Sequence, residues 1–255
     1  KNRRYDTKRS PMLVIGDPIY QPLEYERELL ETNQQLLELK KQVWQYPMSH
    51  MREAYAALYS PQWEPLPGSR SEINSIQAAI PAARVLAGEE ADESHFKQWA
   101  DAGQLADYRV LHFATHGMAV PEIPELSALV LSQFSERSSE DGYLRMPEIA
   151  NLKLAADFVN LSACETGLGK LFKGEGVVGL AQSFLTAGAN QVAVSLWQIN
   201  DNSTSTFMAD LYRQSDQNYG RAMTAIKRRF LSGQFGENYR HPYYWSPFVV
   251  YGRLD

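Results

Sequence analysis

One cysteine and one histidine stand where each could take part in nucleophilic chemistry. Cys164 lies in NLSACETG (160–167) and is the only cysteine of the chain, and His116 precedes it by 48 residues in HFATHG (112–117). A free thiol has a pKa of about 8.5, so it needs a neighbouring imidazole to remove its proton or to stabilise its thiolate. The backbone N–H groups of Gly117 and Cys164 could then hold a developing oxyanion. These residue types therefore indicate a His–Cys dyad.

The residue types alone leave a second interpretation of Cys164 open, a buried and inert thiol, because free cysteine is among the most buried residue types. Both segments follow apolar runs that are typical of buried strands: YRVLHFAT (108–115) and DFVNLSA (157–163). Sites in parallel sheets form beyond the carboxyl ends of strands. If the two strands are adjacent and parallel, His116 and Cys164 come together.

The composition is that of an ordinary globular protein. The chain has 255 residues and a net charge of −5, which gives no reason to expect nucleic-acid binding. A single cysteine excludes an internal disulfide, and we expect a cytoplasmic protein. No apolar run approaches the roughly 18 residues that span a bilayer, so we expect no membrane association. Because the chain starts with KNRR and not with Met, we expect a fragment or a processed product.

Short apolar runs alternate with helical patterns along the chain, which favours an α/β fold with a mostly parallel sheet and helices on both faces. The pattern predicts strands at 12–17, 83–88, 108–115, 127–132, 157–163, 191–197 and 247–252. It predicts helices at 23–46, 50–59, 69–80 (with Ser71 as its cap), 92–103, within 142–154, and at 175–189, 203–213 and 218–231. The apolar stripe on 23–46 fits either docking on the protein's own core or a partner helix.

The motifs, taken together and in order, resemble the CHAT domain, a caspase-like module usually found behind TPR repeats. They are LVIGDP (13–18), LPGSRSEINSI (66–76), YRVLHFATHG (108–117), ALVLS (128–132), GYLRMPEIANLKL (142–154), VNLSACETGLG (159–169), GEGVVGLAQSFLTAGANQVAVSLW (174–197) and HPYYWSPFVVYG (241–252). The resemblance implies a caspase-like α/β/α sandwich over 1–255, with a helical insertion at 21–60 and a catalytic half at 105–255. In this family and in its relative separase, the His of THG and the Cys of ACETG form a protease dyad. The resemblance thus assigns the base to His116 and the nucleophile to Cys164.

The segment SLWQIND (195–201) resembles a separase segment whose Asp contacts a basic residue before the scissile bond. By that match Asp201 is the acidic group of the specificity pocket, and Trp197 lines the pocket or simply packs. A carboxylate paired with Arg or Lys gives strong, charge-assisted recognition. The alternative is an Asp that interacts with the N-terminal dipole of the next helix. Gln198 and Asn200 depart from the family pattern and put the specificity in doubt more than the dyad.

Three further features have structural interpretations. GEGVVG (174–179) matches a dinucleotide-binding pattern, but it does not open directly from its strand, so we expect it to pack beneath the active-site loop. His112 lacks the helix and the Glu of a metal-binding HExxH pattern, so we expect a hydrogen-bonded structural imidazole. Arg70 and Glu72 match a recurrent Arg-x-Glu of the family, for which we expect a structural role.

The sequence predicts a cysteine endopeptidase that needs no metal and no organic cofactor. The expected partners are a protein or peptide substrate and a TPR or other regulatory region that gates activity. One alternative is an inactive caspase-like scaffold for protein–protein interaction, and another is an unrelated cysteine enzyme such as an acyltransferase. A serine hydrolase is disfavoured, because the chain has no G-x-S-x-G elbow.

Overall fold

The computed structural model describes residues 9–20, 41, 55, 63–120, 123–133, 140–162, 175–197, 201–214 and 218–253. The helices predicted at 23–46 and 50–59 lie outside these residues, apart from Lys41 and Tyr55, which are both helical.

Nine strands and six α-helices make up the described part of the chain. The strands are β1 (Ser10–Pro18), β2 (Arg84–Gly88), β3 (Tyr108–Ala114), β4 (His116–Met118), β5 (Ala128–Val130), β6 (Tyr143–Arg145), β7 (Phe158–Leu161), β8 (Gln191–Ser195) and β9 (Phe248–Gly252). The helices are α1 (Pro67–Ala79), α2 (Glu93–Asp101), α3 (Met146–Asn151), α4 (Glu175–Ala187), α5 (Asp201–Gln214) and α6 (Tyr219–Leu231).

Six strands form one sheet in the order β2-β1-β3-β7-β8-β9. All neighbours in this sheet are parallel except β9, which runs antiparallel to β8. The central strands are short, and most of their residues are apolar, as expected for a parallel sheet that is covered on both faces.

A separate apolar core covers each face of the large sheet. Odd-numbered residues of β1, β3 and β7 point to a layer that includes α2, α3 and α4, with Phe113 and Phe184 at its centre. Even-numbered residues of β1 and β3 point to the layer of α1, α5 and α6, where Phe158 stacks on Tyr219 at a ring-centroid distance of 4.2 Å. The alternation of side chains along each strand thus builds a three-layered α/β/α sandwich, which confirms the predicted fold class.

A second, three-stranded antiparallel sheet, β4-β5-β6, follows the end of β3. Its core contains Tyr55, Val130 and Tyr143, with Tyr20 and Trp63 packed against it. The sequence analysis predicted β5 but neither β4 nor β6, because a three-residue strand shows no measurable alternation of apolar and polar residues.

Most predicted elements of the large sheet occur within two residues of their predicted bounds. The prediction of Ser71 as a helix cap is wrong, because α1 begins four residues earlier at Pro67. Proline fits the first helical position, where its missing N–H is not needed. Among the described residues, no helix is long and apolar enough to cross a membrane.

Candidate active site

The carboxyl ends of three neighbouring parallel strands lie side by side at one edge of the large sheet. Three residues are aligned across these strands: Phe113 of β3, Leu161 of β7 and Val194 of β8. Each is followed, three positions later, by a residue that the sequence analysis selected: His116, Cys164 and Trp197. Three residues span at most about 10 Å, so the three segments leave the sheet close to one another. Cys164 itself lies outside the described residues.

His116 is the first residue of β4, at one edge of the small sheet, and is buried. Its Nε2 lies 2.8 Å from the backbone carbonyl oxygen of Glu64. Because a carbonyl can only accept a hydrogen bond, Nε2 carries the proton of the neutral ring, and Nδ1 holds the basic lone pair. The contact therefore fixes which nitrogen of His116 can act as a base.

Two aromatic rings hold the His116 imidazole. Its centroid is 5.1 Å from that of Trp63 and 5.2 Å from that of Tyr20. Trp63 is fixed in turn by a hydrogen bond from its Nε1 to the Tyr143 hydroxyl at 3.0 Å. Burial lowers the pKa of His116 below its ordinary value, and the Glu64 carbonyl opposes this only in part. The ring is thus oriented by its neighbours, and its burial favours the neutral form.

The ladder of the small sheet decides where the Gly117 N–H points. Leu131 N donates to Gly142 O, so the odd-numbered residues of β5 direct their backbone groups toward β6. Gly117 is opposite Leu129 and therefore belongs to a non-hydrogen-bonded pair, whose N–H faces away from β5. The N–H that the sequence analysis selected for an oxyanion hole is consequently not used by β5.

Ser162, two residues before Cys164, is anchored at both its backbone and its side chain. Its N–H donates to the Phe113 carbonyl at 2.8 Å. Its hydroxyl donates to Glu72 Oε2 of α1 at 3.0 Å. The start of the cysteine-bearing segment is thereby tied to both β3 and α1.

Behind this anchor lies a buried polar network that the sequence analysis foresaw only in part. His112 Nδ1 is 2.8 Å from the Tyr212 hydroxyl and 3.1 Å from Asn160 Nδ2. Since the amide donates to Nδ1, the proton sits on Nε2, which faces Glu72 Oε1 at 3.1 Å without the alignment of a hydrogen bond. These partners confirm His112 as a structural imidazole. They also link Glu72 of α1 to Tyr212 of α5, on the same face of the sheet, through His112 of β3.

The two residues proposed for substrate binding lie beyond β8. Trp197 is 38% exposed, and its indole Nε1 donates to the Tyr243 carbonyl at 3.2 Å. The hydrogen bond therefore fixes one edge of the Trp197 indole, while part of the ring surface faces solvent. Asp201 is the first residue of α5, and its side chain is not among the described groups.

Two other motifs have structural explanations. Gly179 of GEGVVG lies within α4, where an added Cβ would be 2.8 Å from Met146 Cε, so it permits close packing of α4 on α3. Arg70 forms an ion pair with Asp17.

The one group of three carboxylates with metal-ligand spacing among the described residues already surrounds an ammonium group, because Lys97 Nζ lies within 2.8 Å of all three: Glu93, Glu140 and Glu148.

Sequence reasoning missed the groups that hold His116. Tyr20, Trp63 and the Glu64 carbonyl are far from His116 in the sequence, and the last of these is a backbone atom that any residue type supplies. The aromatic residues at 20 and 63 carry no periodicity that a pattern search could use. Their only signal is that one stands just before the predicted insertion and the other just after it.

The architecture and the strand-end site define the class of this protein as a caspase-like sandwich. The chain belongs to the CHAT domain family, whose model matches residues 1–253.

Two curated proteins are similar to part of the chain. Tetratricopeptide repeat protein 28 of Homo sapiens is 26% identical over 144 residues, which is 56% of this chain and 5% of that protein. Tetratricopeptide repeat protein 28 of Mus musculus is 28% identical over 109 residues, or 43% of this chain and 4% of that protein. The chain thus matches only a small part of the length of these relatives.

Proposed function

We propose that this protein is a cysteine endopeptidase in which Cys164 is the nucleophile and His116 the base. The single observation that carries the proposal is the strand register: the aligned residues Phe113 and Leu161 stand three positions before His116 and Cys164 respectively. Membership of the CHAT family, which contains caspase-like proteases, supports it.

In the proposed reaction, His116 Nδ1 takes the thiol proton as Cys164 Sγ attacks the peptide carbonyl carbon. The oxyanion of the tetrahedral intermediate is held by the N–H groups of Gly117 and Cys164. The protonated imidazole then gives its proton to the leaving amine, and a thioester remains on Cys164. Water, deprotonated by His116, attacks this thioester, releases the carboxylic acid and restores the thiol.

The surroundings of His116 favour general-base catalysis over a resting thiolate–imidazolium pair. Burial lowers the pKa of His116, so the ring is neutral at physiological pH. We expect the acid limb of the pH–activity profile to lie below pH 6.5, the ordinary pKa of imidazole. The His116 ring stays neutral at a lower pH than the ring of a free histidine does.

The first experiment is the rate of alkylation of Cys164 by iodoacetamide against pH, in wild type and in His116→Ala. We expect the wild-type thiol to react well below the free-thiol pKa of about 8.5, because the neutral His116 ring accepts the thiol proton during alkylation, and His116→Ala to lose this reactivity by about a hundredfold at neutral pH. His95→Ala is the matched control, since His95 is a half-exposed helical residue bound to Asp92 and far in sequence from the site. A slow thiol that is indifferent to His116 would overturn the dyad and favour the inactive scaffold.

We further propose that Asp201, with Trp197 beside it, selects a basic residue before the scissile bond. Asp201 begins α5 only six residues after the end of β8, at the same sheet edge as His116. In a library of peptides that vary at this position, Asp201→Ala should reduce the preference for Lys and Arg by about tenfold or more. An unchanged preference would contradict the assignment, whereas loss of all cleavage with Cys164 alkylation intact would point to a wider defect of the site.

We also propose that a partner or an upstream repeat region gates the activity in the cytoplasm. Both relatives are named as tetratricopeptide repeat proteins, which supports a role next to such a region. Tyr20 and Trp63 lie on either side of the insertion predicted at 21–60, and both contact His116. A conformational change at Tyr20 or Trp63 would therefore alter the surroundings of the His116 imidazole directly.

A further inference from the structure

Helix α6 is basic within an acidic protein. The segment Tyr219–Leu231 carries four cationic residues and no Asp or Glu, whereas the whole chain has a net charge of −5. Arg229 is paired with Asp210. Among the residues that the structure describes, the side chains of Arg221 and Arg228 have no carboxylate partner. A local excess of positive charge therefore faces solvent on this helix.

The basic face of α6 lines a groove of about 690 Å³ beside β9. Arg221, Thr224, Lys227 and Arg228 form its helical wall, and Val250 and its neighbours in β9 form the other. β9 is the last strand of the large sheet, so one of its sides has no strand beside it in the described part of the chain. The groove thus runs along an open sheet edge.

The backbone of β9 presents hydrogen-bonding groups to this groove. Leu196 N donates to Pro247 O, and Arg253 N donates to Asn190 O, so the odd-numbered residues of β9 face β8. The even-numbered residues consequently direct their N–H and C=O groups outward. Lys227 Nζ covers the outward carbonyl of Phe248 at 2.5 Å, but Val250 makes no such contact with the described residues.

We propose that this groove, between α6 and the free edge of β9, binds an extended acidic peptide segment as an additional strand. The outward groups of Val250 supply the main-chain hydrogen bonds of strand addition. Arg221 and Arg228 supply the selectivity for acidic side chains. The site lies outside the proposed catalytic residues, so the proposal stands independently of the peptidase assignment.

The spacing of the cations fits alternating acidic residues. Arg221 and Arg228 lie two helical turns apart, which is about 10 Å along α6. In an added strand every second residue points to the α6 side of the sheet, so these side chains recur about every 7 Å, and the long arginine side chains can span the remaining difference of about 3 Å. Lys227 on its own fits a simpler role, protection of a sheet edge from pairing, but this role explains neither Arg221 nor Arg228.

The test is the binding of a fluorescein-labelled octapeptide of alternating Thr and Glu, measured by fluorescence anisotropy. A peptide of alternating Thr and Gln is the neutral comparison. We expect the acidic peptide to bind, and Arg221→Glu/Arg228→Glu to weaken its binding by about tenfold or more. The matched control is Lys153→Glu/Arg213→Glu, which changes the net charge equally at exposed positions that do not line the groove and should leave affinity within about twofold.

A backbone variant tests strand addition separately. Val250→Pro removes an outward N–H and leaves the β8–β9 ladder intact, since proline is tolerated where its nitrogen faces the open edge. We expect it to lose peptide binding while its melting temperature stays close to that of wild type.

Four results would overturn the proposal. They are no binding of the acidic peptide, equal weakening by both double variants, equal binding of single-stranded oligothymidylate with no effect of Val250→Pro, and a dimer in light scattering that Val250→Pro converts to a monomer. The third result would indicate a general anion surface, and the fourth would indicate that a second copy of the chain occupies the edge. If Val250→Pro does not fold, the comparison of the two charge-reversal double variants still tests the proposal.

Discussion

At the scale of the residue, Glu72 is the group that joins the candidate nucleophile to the rest of the protein. Its Oε2 accepts from Ser162, two residues before Cys164, and its Oε1 faces the buried His112. The contact with Ser162 is partly buried and the contact with His112 is buried, and a buried carboxylate that loses a partner is left with a large desolvation penalty. We infer that Glu72 is a positioning residue, which acts on Cys164 through Ser162.

We expect Glu72→Gln to lower the alkylation rate of Cys164 by about tenfold at neutral pH and to lower kcat for a cleaved peptide more than it changes KM. Gln keeps the shape but removes the charge, so the Ser162 hydroxyl loses its strong acceptor. Ser162→Ala should give the same kinetic change, and Ser75→Ala, an exposed hydroxyl of the same helix that bonds Ser71 O, should give none. A fall in melting temperature with unchanged kinetics of the folded protein would mean that Glu72 is only structural.

The residues with distinctive chemistry could be selected from the sequence, but the groups that orient them could not. His116 and Cys164 stand out because each follows an apolar run, and Trp197 follows a third such run. Tyr20 and Trp63 contact His116 only because the chain returns to it after a long separation. Sequence patterns report local periodicity, so contacts between distant segments are invisible to them unless the family is known.

At the scale of the element, β1, β3 and α1 approach one another closely at Gly16. A Cβ at this position would be 2.8 Å from Ser69 Oγ and 2.9 Å from the Ala114 carbonyl oxygen. Ser69 Oγ also donates to that carbonyl at 2.6 Å and accepts from Asp17 N at 2.7 Å. The end of β3, two residues before His116, is therefore set by a contact that only glycine allows.

We expect Gly16→Ala to destabilise the protein by about 1–3 kcal/mol, measured by urea denaturation, because the backbone of β3 must move. Cys164 alkylation should slow in the folded protein as well, since Ala114 leads into His116. Gly103→Ala is a useful comparison, because an added Cβ meets no atom within 4 Å there and only the positive φ of 73° opposes it. A free energy of unfolding within about 0.5 kcal/mol of wild type would contradict the close-approach argument.

The elements of the large sheet were predictable because their strands are apolar runs bounded by turn residues, as in MLVIGD for β1. The antiparallel direction of β9 was not predictable, since an apolar run reads the same in both directions. The small sheet was also missed, because β4 and β6 are three residues long. Its strands are specified by packing against Tyr20, Tyr55 and Trp63, which lie outside them in the sequence, more than by any pattern of their own.

At the scale of the whole molecule, a buried charge cluster links the first helix after β2 to the small sheet. Glu93, at the start of α2, accepts from Gly142 N at 2.8 Å and lies 2.8 Å from Lys97 Nζ. Burial raises the pKa of the Glu93 carboxyl to about 8, and the nearby Asp141 adds to this effect while Lys97 opposes it. The folded protein therefore holds a proton there that the unfolded chain releases near the ordinary pKa of 4.5.

This raised pKa gives a definite sign to the pH dependence of stability. Between about pH 4.5 and 8 the folded state binds more protons at Glu93 than the unfolded state, so stability falls as pH rises, by up to about 1.4 kcal/mol per pH unit. We expect Glu93→Gln to remove this fall between pH 5 and 8 in thermal denaturation, because the neutral amide has nothing to release. Glu89→Gln, at an exposed position in the adjoining turn, should retain the wild-type slope. Parallel slopes for wild type and Glu93→Gln would contradict the assignment.

The contact of Tyr20 and Trp63 with His116 has a consequence for the long stretch of chain between them. Their ring centroids are 6.5 Å apart, so the chain leaves and returns at nearly the same place. The entropy needed to close a loop grows only with the logarithm of its length, by about 0.6 kcal/mol for each doubling. A protein built in this way can exchange much of the stretch for a shorter, longer or ligand-responsive one at little cost to its large sheet, provided that Tyr55 keeps its place in the core of the small sheet. Any segment in that position begins and ends beside the same side chain, the imidazole of His116.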